Sequence, residues 1–388
     1  MCFNLNKLKN LICKFCPDGV NCKKLVEVAD VLYGYPCDAT AFNDAGKGLP
    51  LARIRDVLAG RTNTYTTEII PENYIISNGD LLVGMDGNFH VATWKMSRSI
   101  LCQRVCRISS KDDAVVYNGF LNHILPPIIK EIEQNKQSGT VKHLLAKDIN
   151  AICIPLPPLA VQQEIVRILD SFTELTAELT AELTARRKQY EHYRDELLSS
   201  NAPRWEKKVI QRRLSEVADI STGSSNTDDA IENGLYPFYV RSQEPLAKNE
   251  YEFDEEAIIT AGDGVGVGKV FHYVKGKFAL HQRAYRIHPT ADTLNGRFLY
   301  HYFIAKFPAY IGKQMYQGSV PSIRRPMLNN FEVLIPPIEV QQQIVDILDR
   351  FDLICSDLTS GLPAEIAARQ KQYEYYRDKL LTFKELDT

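Results

Sequence analysis

A glycine-rich stretch, Gly262 to Val270 (GDGVGVGKV), has the composition of loops that bind phosphate groups. A Walker A loop requires glycine five positions before its final glycine, where this chain has Asp263. It also requires Ser or Thr after Lys269, where this chain has Val270. A dinucleotide fingerprint requires GxGxxG at the start of a helix, but here the spacing is GxGxG and the next residues alternate like a strand. The pattern favours a tight turn into a β-hairpin, with glycines that let the backbone approach a partner closely.

The nine cysteines suggest a second kind of chemistry, metal binding. Cys13 and Cys16 form a CxxC pair, and Cys22 and Cys37 follow along the chain. Zinc sites usually need a second pair of ligands at matching spacing, and none follows. We therefore expect reduced, partly buried thiols, with a zinc site as the alternative.

No catalytic motif indicates an enzyme. The sequence lacks GxSxG, HExxH and the Asn/Asp-Pro-Pro-aromatic motif of amino-methyltransferases, and its eight histidines are scattered. The composition, 45% hydrophobic and 24% charged, is that of a soluble globular protein. Because there is no run of about 18 apolar residues and no signal peptide, we expect no membrane span and a cytoplasmic location.

The net charge of −2 argues against a uniformly basic nucleic-acid-binding protein. Residues 22–155 and 204–335 carry +1 and +2, whereas residues 156–203 and 336–388 carry −3 and −4. Positive charge thus lies in the two longer regions and negative charge in the two shorter ones, although margins of this size also arise by chance.

The charge pattern occurs twice because the sequence contains an internal repeat. LPPLAVQQEIV (156–166) matches IPPIEVQQQIV (335–345) at an offset of 179. KQYEHYRDELL (188–198) matches KQYEYYRDKLL (371–381) at an offset of 183. Weaker matches precede each copy: LVEVADV with LSEVADI (25–31, 214–220), Gln103–Arg104 with Gln282–Arg283, and GTV with GSV (139–141, 318–320). The repeating unit is a region of about 130 residues followed by a segment of about 45.

The two shorter segments are predicted to be long helices. After Pro157–Pro158, apolar residues recur every three or four positions, the seam pattern of a coiled coil. An unbroken helix from Ala160 to Ser199 would be about 60 Å long. The second segment has a similar seam, but Gly361 and Pro363 interrupt it, so we expect a kink or short break there. One seam on each helix favours packing of the two helices against each other; separate docking on the neighbouring domains is the alternative.

The first helix contains a perfect tetrapeptide repeat, ELTAELTAELTA, from Glu174 to Ala185. Leu175, Leu179 and Leu183 continue the apolar seam. Glutamates four residues apart repel slightly and threonine is a mediocre helix former, so local stability is a poor explanation for the copying.

The two longer regions are predicted to be mostly β. Short runs in which apolar and polar residues alternate are separated by Gly, Pro and Asn. Residues 120–136 and 296–312 are predicted to be helical.

Together these motifs resemble the specificity subunits of type I restriction–modification systems. The resemblance covers nearly the whole chain and is weakest in the middle of residues 22–155. It rests on PLPPLxVQQEIVxILDxF, RRKQYExYRDELL, GLPAEIxARxKQYEYYRDKLL, CPDGVxxKKLxEVAD (16–30), YPFYVRSQE (236–244) and GDGVGVGKVFHYVKGKFALHQRAYRI (262–287).

The resemblance implies an α+β fold: two β-rich α/β target-recognition domains joined by two long antiparallel coiled-coil helices, with pseudo-twofold symmetry. The expected boundaries are a first recognition domain with its N-terminal segment at 1–155, a central conserved helix at 156–203, a second recognition domain at 204–335 and a C-terminal conserved helix at 336–388.

It also implies a non-catalytic subunit in which each domain recognises one half of a split sequence in double-stranded DNA. Two modification (methyltransferase) subunits would dock on the helices and carry S-adenosylmethionine and the adenine-N6 methyl transfer. Restriction subunits would add ATP- and Mg²⁺-dependent translocation and cleavage. This chain would hold no cofactor or metal and bind no membrane.

In that family, the copy number of the tetrapeptide tunes the gap between half-sites. Four helical residues add about 6 Å and about 40° beyond a full turn. These values are comparable with the ~3.4 Å and ~35° of one base pair.

Phosphate contacts need Lys or Arg, and base contacts favour Arg, Lys, Asn and Gln. The predicted DNA-binding residues are Arg53, Arg55, Arg61, Arg98, Arg104, Lys142, Arg241, Lys269, Lys275, Arg283, Arg324 and Arg325. For the recurring Gln–Arg pairs, the two alternatives are a structural role and a phosphate contact. For Arg324–Arg325, they are a phosphate contact and a solvated charge pair.

The tyrosines on the acidic helices are predicted to anchor protein partners. About half of them are expected to be seam residues instead. They are Tyr190, Tyr193, Tyr373, Tyr375 and Tyr376. Two other functions remain as alternatives, a coiled-coil interaction scaffold without DNA specificity and a nucleotide-dependent enzyme that uses residues 262–270.

Overall fold

A computed structural model describes residues 5–136, 142–199, 209–314, 321–356 and 360–386. The GTV and GSV segments of the repeat lie outside these ranges. The chain divides into two compact units, Met1–Glu178 with Ile366–Thr388 (unit 1) and Leu179–Glu365 (unit 2). Each unit therefore combines one β-rich region with parts of the helical segments. The four predicted domain boundaries stay a prediction.

The helices have the following bounds: α1 Leu5–Phe15, α2 Leu25–Val28, α3 Ile54–Val57, α4 Asn118–Asn135, α5 Ala146–Asn150, α6 Leu159–Leu197, α7 Leu214–Val217, α8 Gly296–Gly312, α9 Arg325–Asn329, α10 Ile338–Ser356 and α11 Leu362–Leu381. Among the described residues, no helix is long and apolar enough to cross a bilayer.

The strands of unit 1 are β1 Cys22–Lys24, β2 Ala29–Tyr33, β3 Phe42–Asn43, β4 Leu49–Ala52, β5 Tyr65–Thr66, β6 Ile75–Ile76, β7 Leu81–Gly84, β8 Val91–Thr93, β9 Ser99–Leu101, β10 Val105–Ser110 and β11 Cys153–Pro155. Those of unit 2 are β12 Ile210–Arg213, β13 Ala218–Thr222, β14 Tyr236–Tyr239, β15 Leu246–Lys248, β16 Phe253–Ala261, β17 Phe271–Leu280, β18 Ala284–Pro289 and β19 Glu332–Ile335.

The repeat in the sequence is a repeat of sheet topology. Unit 1 has an antiparallel sheet in the order β2-β10-β7-β8, and unit 2 starts its six-stranded sheet with the equivalent order β13-β18-β16-β17. Unit 2 extends this sheet with β14 and β15, whereas unit 1 adds a separate five-stranded sheet in the order β3-β5-β4-β9-β6. In each unit a two-stranded ribbon, β1-β11 or β12-β19, joins the beginning of the recognition region to its end.

A long helix packs on each of these sheets, α4 in unit 1 and α8 in unit 2, close to the predicted helical residues 120–136 and 296–312. α8 buries Phe298, Phe303 and Phe307. Phe303 and Phe307 lie on one face because they are four residues apart. The rings of Phe303 and Phe307 stack at 4.2 Å, and Phe331 meets both edge-on at 5.5 and 5.2 Å. Aromatic pairs of this kind add to the stabilisation from burial alone.

The first glutamine of each VQQ motif fixes the start of the helix that packs on the sheet, α4 in unit 1 and α8 in unit 2. The Gln341 side chain is fully buried and accepts a hydrogen bond from the backbone N–H of Asn295, the N-cap of α8, at 2.8 Å. Its Nε2 donates to the carbonyl oxygens of Thr293 and Pro336 at 2.8 and 2.7 Å. In unit 1, Gln162 makes the equivalent contacts: it accepts from Tyr117 N and donates to Val115 O and Pro157 O.

A histidine of each long helix binds an aspartate of the conserved helix. In unit 1, His123 Nε2 lies 2.8 Å from Asp170 Oδ1, and His123 Nδ1 lies 3.1 Å from Tyr373 Oη. In unit 2, His301 Nε2 lies 2.7 Å from Asp349 Oδ1. Each recognition region is thereby tied to the helix that follows it.

The helical segments largely match the predictions. α6 spans Leu159–Leu197, close to the predicted 160–199. A break between α10 and α11 includes the predicted Gly361, and Pro363 lies in the first turn of α11. Within unit 2, α6 and α10 run antiparallel, because Arg187 contacts Cys355 while Tyr190 contacts Phe351.

Within unit 1, α6 packs on α11, and the ring of Phe172 stacks on that of Tyr376 at 5.3 Å. The conserved helices thus pack on each other, as predicted, and each also buries residues against its recognition region. In the tetrapeptide repeat, the three leucines are half-buried and the three glutamates are exposed.

Candidate nucleic-acid interface

An Asp–Gly turn follows the central strand β7 of unit 1. The backbone N–H of Met85 donates to Arg104 O at 2.9 Å, and Leu144 N donates to Met85 O at 2.7 Å. Gly87 has φ +72°, a left-handed conformation that glycine adopts without strain, and its N–H donates to Lys142 O at 2.9 Å. The turn is therefore held from two sides by backbone hydrogen bonds.

The same turn follows the equivalent strand β16 of unit 2. Gly262 N donates to Arg283 O at 2.8 Å, and Ile323 N donates to Gly262 O at 2.7 Å. Gly264 has φ +80°, and its N–H donates to Pro321 O at 2.9 Å. The loop then forms a 3-10 turn and connects β16 to β17 of the same antiparallel hairpin. This confirms the turn predicted for the glycine-rich stretch.

One of the loop glycines has a different role from the one expected. A Cβ on Gly266 would lie 2.4 Å from the carbonyl oxygen of Arg241. Within the molecule, this glycine lets the loop pack on the strand end that carries Arg241.

The aspartate of each turn binds arginine. In unit 1, Arg104 Nε lies 3.5 Å from Asp86, which also binds His143 Nδ1 at 2.7 Å. Arg104 is exposed and has φ 69°. Asp86 thus holds a cationic side chain at the surface next to the turn.

In unit 2 one aspartate binds two arginines. Asp263 accepts from Arg241 Nη1 at 2.5 Å and from Arg283 Nη1 at 3.3 Å. Because one carboxylate faces two guanidinium groups, this cluster keeps a net positive charge. Arg283 and Arg104 are equivalent in the repeat, so the Gln–Arg pairs recur because each places its arginine beside the turn aspartate.

Two neighbouring clefts open beside the turn and α3 in unit 1. One, of about 660 Å³, is lined by Arg53, Arg55, Arg104, Gln103, Asn88 and His90, with apolar residues at its base. The other, of about 640 Å³, shares Arg53 and Arg55 and adds Arg61, Asn43 and Asn63. Four of the six predicted DNA-binding residues of this region thus lie together.

The other two predicted residues of unit 1 lie elsewhere. Arg98 is exposed and binds Glu72 at 2.6 Å. Lys142 Nζ donates to the carbonyl oxygen of Glu133 near the end of α4, at 2.7 Å. Arg53 lines both clefts, but its Nε also binds Asp56 within α3 at 2.9 Å, which makes it part of the local fold.

Two smaller clefts flank Asp263 in unit 2. One, of about 500 Å³, is lined by Arg241, Ser242, Thr227, Asp263 and Val265. The other, of about 240 Å³, is lined by Arg283, Gln282, Asp263 and Tyr285. Arg241 and Arg283 therefore lie on either side of one aspartate.

The remaining predicted residues of unit 2 do not line these two clefts. Lys269 and Lys275 are exposed, the first after the glycine-rich turn and the second on β17 opposite Glu256. Arg324 is the N-cap residue of α9. Arg325 Nη2 donates to Ile220 O at 2.6 Å, a contact that ties α9 to β13.

A buried histidine supports the unit 2 cluster. His281 Nδ1 accepts a hydrogen bond from the backbone N–H of Arg283 at 2.9 Å. Burial and then the nearby charges of Arg241 and Arg283 lower the pKa of His281, against the opposite effect of Asp263 and Asp229. The imidazole is therefore held neutral, as its acceptor role requires.

Comparison with known proteins gives the family. A family model described as the type I restriction modification DNA specificity domain matches this chain twice, over residues 17–186 and 206–368. The chain belongs to this family.

Relatives in the specificity family cover the chain to different extents. A putative type I restriction enzyme specificity subunit of Haemophilus influenzae is 30% identical over 347 residues, which are 80% of this chain and 85% of that protein. The EcoR124I/EcoR124II specificity subunit of Escherichia coli is 36% identical over 256 residues, 60% of this chain and 62% of that protein. The EcoBI specificity subunit of Escherichia coli is 43% identical over 145 residues, which are 37% of this chain and 30% of that protein. The chain therefore spans less than two thirds of these two Escherichia coli proteins.

Solved structures show the same fold. The S subunit of a type I restriction-modification system from M. genitalium matches with a TM-score of 0.63 at 15% identity, over 94% of this chain and 96% of that one. A chain from a study of complex assembly and conformational transition in the type I R-M system matches with a TM-score of 0.58 at 18% identity. The match covers 94% of this chain and 98% of that one. At these identities the similarity concerns the fold alone.

The five tyrosines predicted as anchors of this specificity-family protein fall into two groups. Tyr190, Tyr373 and Tyr376 are half-buried, with rings next to Phe351, His123 and Phe172 respectively. Tyr193 and Tyr375 are 39% and 60% exposed. The ring of Tyr193 nevertheless lies 5.8 Å from that of Phe351. A role for any of the five tyrosines as a partner anchor stays a prediction.

One group of side chains has the spacing of metal ligands: His301, Asp349 and Asp352. Arg297 occupies the space between the carboxylates, since Nε lies 2.8 Å from Asp349 and Nη2 lies 3.5 Å from Asp352. Burial opposes ionisation of Asp349, but hydrogen bonds from His301 and Arg297 outweigh it and lower its pKa. An arginine in this position makes the group an ion-pair network and a poor fit for a cation.

The two turn aspartates, Asp86 and Asp263, were not predicted as site residues. Met85–Asp86–Gly87 is equivalent to Gly262–Asp263–Gly264 at an offset of 177, two less than the offset of the Gln–Arg pairs. The shared Asp–Gly dipeptide is the available signal, but it is short and its neighbours differ.

Proposed function

We propose that this chain is the DNA-recognition subunit of a type I restriction–modification complex, and that each recognition region binds one half of a bipartite duplex target. The observation that carries this proposal is the recurrence, in both units, of an Asp–Gly turn with an arginine-lined cleft beside it. These clefts offer arginines for phosphates, and Asn88, Gln103 and Gln282 in two of them offer amides for base edges.

The electrostatics of the turn suit a reversible contact. Arg104, Arg241 and Arg283 are at least 39% exposed and bound to an aspartate, so a phosphate or base can compete for them. The aspartates would hold the guanidinium groups in place before DNA binds, which reduces the entropy lost on binding.

The partners and cofactors follow from the family. Two modification subunits would bind the helices, carry S-adenosylmethionine and methylate adenine N6. Restriction subunits would supply ATP- and Mg²⁺-dependent translocation and cleavage. This chain would contribute binding and no catalysis, and would act in the cytoplasm.

An electrophoretic shift on random-sequence duplex over a salt series tests DNA binding. Affinity should fall steeply between about 50 and 200 mM salt, because binding releases condensed cations from DNA and the entropy gained from that release shrinks as the salt concentration rises. Arg104→Gln should reduce the slope of log affinity against log salt by about one. Arg98→Gln is the matched control, since it removes the same charge from an equally exposed, acid-paired arginine outside the clefts.

An equal effect of both substitutions would mean that the attraction is diffuse and the clefts are not the interface. No binding to duplex, either by the chain alone or with its modification subunits, would contradict the proposal and favour an interaction scaffold.

A further inference from the structure

The residue after each Asp–Gly turn is exposed and lies in a cleft. In unit 1 this residue is Asn88, which lines the cleft that contains Arg55, Gln103 and Arg104. In unit 2 it is Val265, which lines the cleft that contains Arg241. Val265 is 89% exposed, whereas the two next valines of the loop, Val267 and Val270, are buried.

Both residues are held in place by what flanks them. Asn88 lies between Gly87, whose N–H is bonded to Lys142 O, and the buried Phe89, whose N–H donates to Glu133 Oε2 at 3.0 Å. Val265 lies between Gly264, bonded to Pro321 O, and the buried Gly266. The backbone on either side is fixed, while the side chain itself is exposed at the cleft.

The scaffold is the same in the two units but the side chain is not. The aspartate, the glycine with positive φ, the neighbouring arginine and three backbone hydrogen bonds recur, with lengths that agree within 0.1 Å. Positions that maintain the fold or contact phosphate should be shared by two recognition regions. Positions that distinguish bases should differ, because the two regions recognise different sequences.

The chemistry of the two side chains fits two different base pairs. Asparagine can form a bidentate pair with the N6 and N7 atoms of adenine, and an apolar side chain can contact the 5-methyl group of thymine. A lone exposed valine is otherwise unremarkable on a protein surface, but here the adjacent arginines place it where bases would lie.

We propose that Asn88 and Val265 are equivalent specificity-determining residues, Asn88 contacting the edge of an adenine in one half-site and Val265 the methyl group of a thymine in the other. This rests on the proposed function, since it presumes that both clefts bind DNA. Each residue contributes to one base pair, and the Asp–Gly turn positions it.

The test is selection from a duplex library with randomised positions by the chain assembled with its modification subunits, followed by sequencing of the bound fraction. The wild-type assembly should return a bipartite motif. Asn88→Val should lower the preference at one base pair of one half-site by about ten-fold or more, and Val265→Asn should do so at one base pair of the other. Replacing thymine by uracil at the position assigned to Val265 should weaken binding by wild type and leave Val265→Asn unaffected.

The matched controls make the same chemical changes outside the clefts. Leu235→Asn, at a side chain that is 77% exposed, and Asn73→Val, at an exposed position, should leave the motif unchanged. Thermal unfolding of every variant separates misfolding from altered recognition. For a misfolded variant, Val265→Ala or Asn88→Ala takes its place and should lose the same preference.

A wild-type motif returned by folded Asn88→Val and Val265→Asn would overturn the inference while leaving the proposed function intact. Uniform loss of binding without a change in base preference would also overturn it, because the residues would then contribute affinity alone. The absence of any motif with the wild-type assembly would instead reject the proposed function.

Discussion

The side-chain nitrogen of Gln341 lies 2.7 Å from the carbonyl oxygen of Pro336, and the Gln341 side chain has no exposed area. This bond links the proline pair before α10 to the start of α8. Because the carboxamide also serves Asn295 N and Thr293 O, one buried side chain satisfies three backbone groups.

Gln341→Ala is therefore expected to destabilise the protein by about 2 kcal/mol or more, since each buried group left without a partner costs about 1–3 kcal/mol. Gln343→Ala, an exposed glutamine on the same helix, is the control and should change stability by less than about 0.5 kcal/mol. Thermal or urea unfolding measures both. Equal stability of the two variants would show that the buried bonds add nothing.

His281 predicts a dependence of stability on pH. Its folded pKa is lowered, so the folded state binds a proton less readily than the unfolded state. Its contribution to stability is then complete above the ordinary value of 6.5 and is lost as the pH falls from there toward the folded pKa.

His281→Gln should lose less stability between pH 7.5 and about pH 5.5 than the wild type does. His272, whose pKa burial also lowers, is present in both proteins and does not affect the difference. Urea unfolding at the two pH values is the measurement. Identical pH dependence in the two proteins would contradict the assignment.

Tyr376 and Tyr375 are adjacent in sequence but should differ in what they stabilise. Tyr376→Ala removes a half-buried ring from Phe172 and should destabilise unit 1 by about 2 kcal/mol. Tyr375→Ala removes a ring that is 60% exposed, and stability should change by less than about 0.5 kcal/mol.

If Tyr375 anchors a modification subunit, Tyr375→Ala should weaken assembly of the complex by ten-fold or so, as the loss of an interface aromatic does. Titration calorimetry or size-exclusion chromatography with the modification subunit tests this. Assembly at wild-type affinity would rule out Tyr375 as an anchor.

Deleting residues 178–181, one copy of the tetrapeptide, should shorten the unrecognised spacer of the DNA target by one base pair and leave both half-sites unchanged. The repeat lies within α6, with exposed glutamates and half-buried leucines, so a deletion of four residues keeps the leucine spacing. Sequencing of DNA methylated by the assembled complex gives the spacer. Glu178→Ala keeps the length and is the control; an unchanged spacer after the deletion would refute the prediction.

Periodicity and proline signals were sufficient to predict the long helices α4, α6, α8, α10 and α11, whereas no helix was predicted at α1. α6 and α8 begin and end within about two residues of the predicted bounds, and the break before α11 includes the predicted Gly361. Long helices are predictable because their signal is summed over many residues. The strands of unit 1, several of them two or three residues long, give no such sum.

The candidate site was predictable only in part. Arg104 and Arg283 were found through their recurrence, but Asp86 and Asp263 were not, because the loop between the aligned motifs changes length. Residue type alone also could not separate Arg55, which lines the clefts, from Lys142, whose ammonium group binds a carbonyl oxygen near the end of α4. That difference depends on side-chain direction, which tertiary contacts determine.

The exposure of the residue after each Asp–Gly turn has a consequence for protein engineering. Asn88 is exposed and Val265 is 89% exposed, so a substitution there removes little buried surface, and the turn that carries each residue is held by backbone hydrogen bonds. A library randomised at these two positions should consist almost entirely of folded molecules. Natural variants could likewise sample new residues there without first acquiring compensating mutations elsewhere.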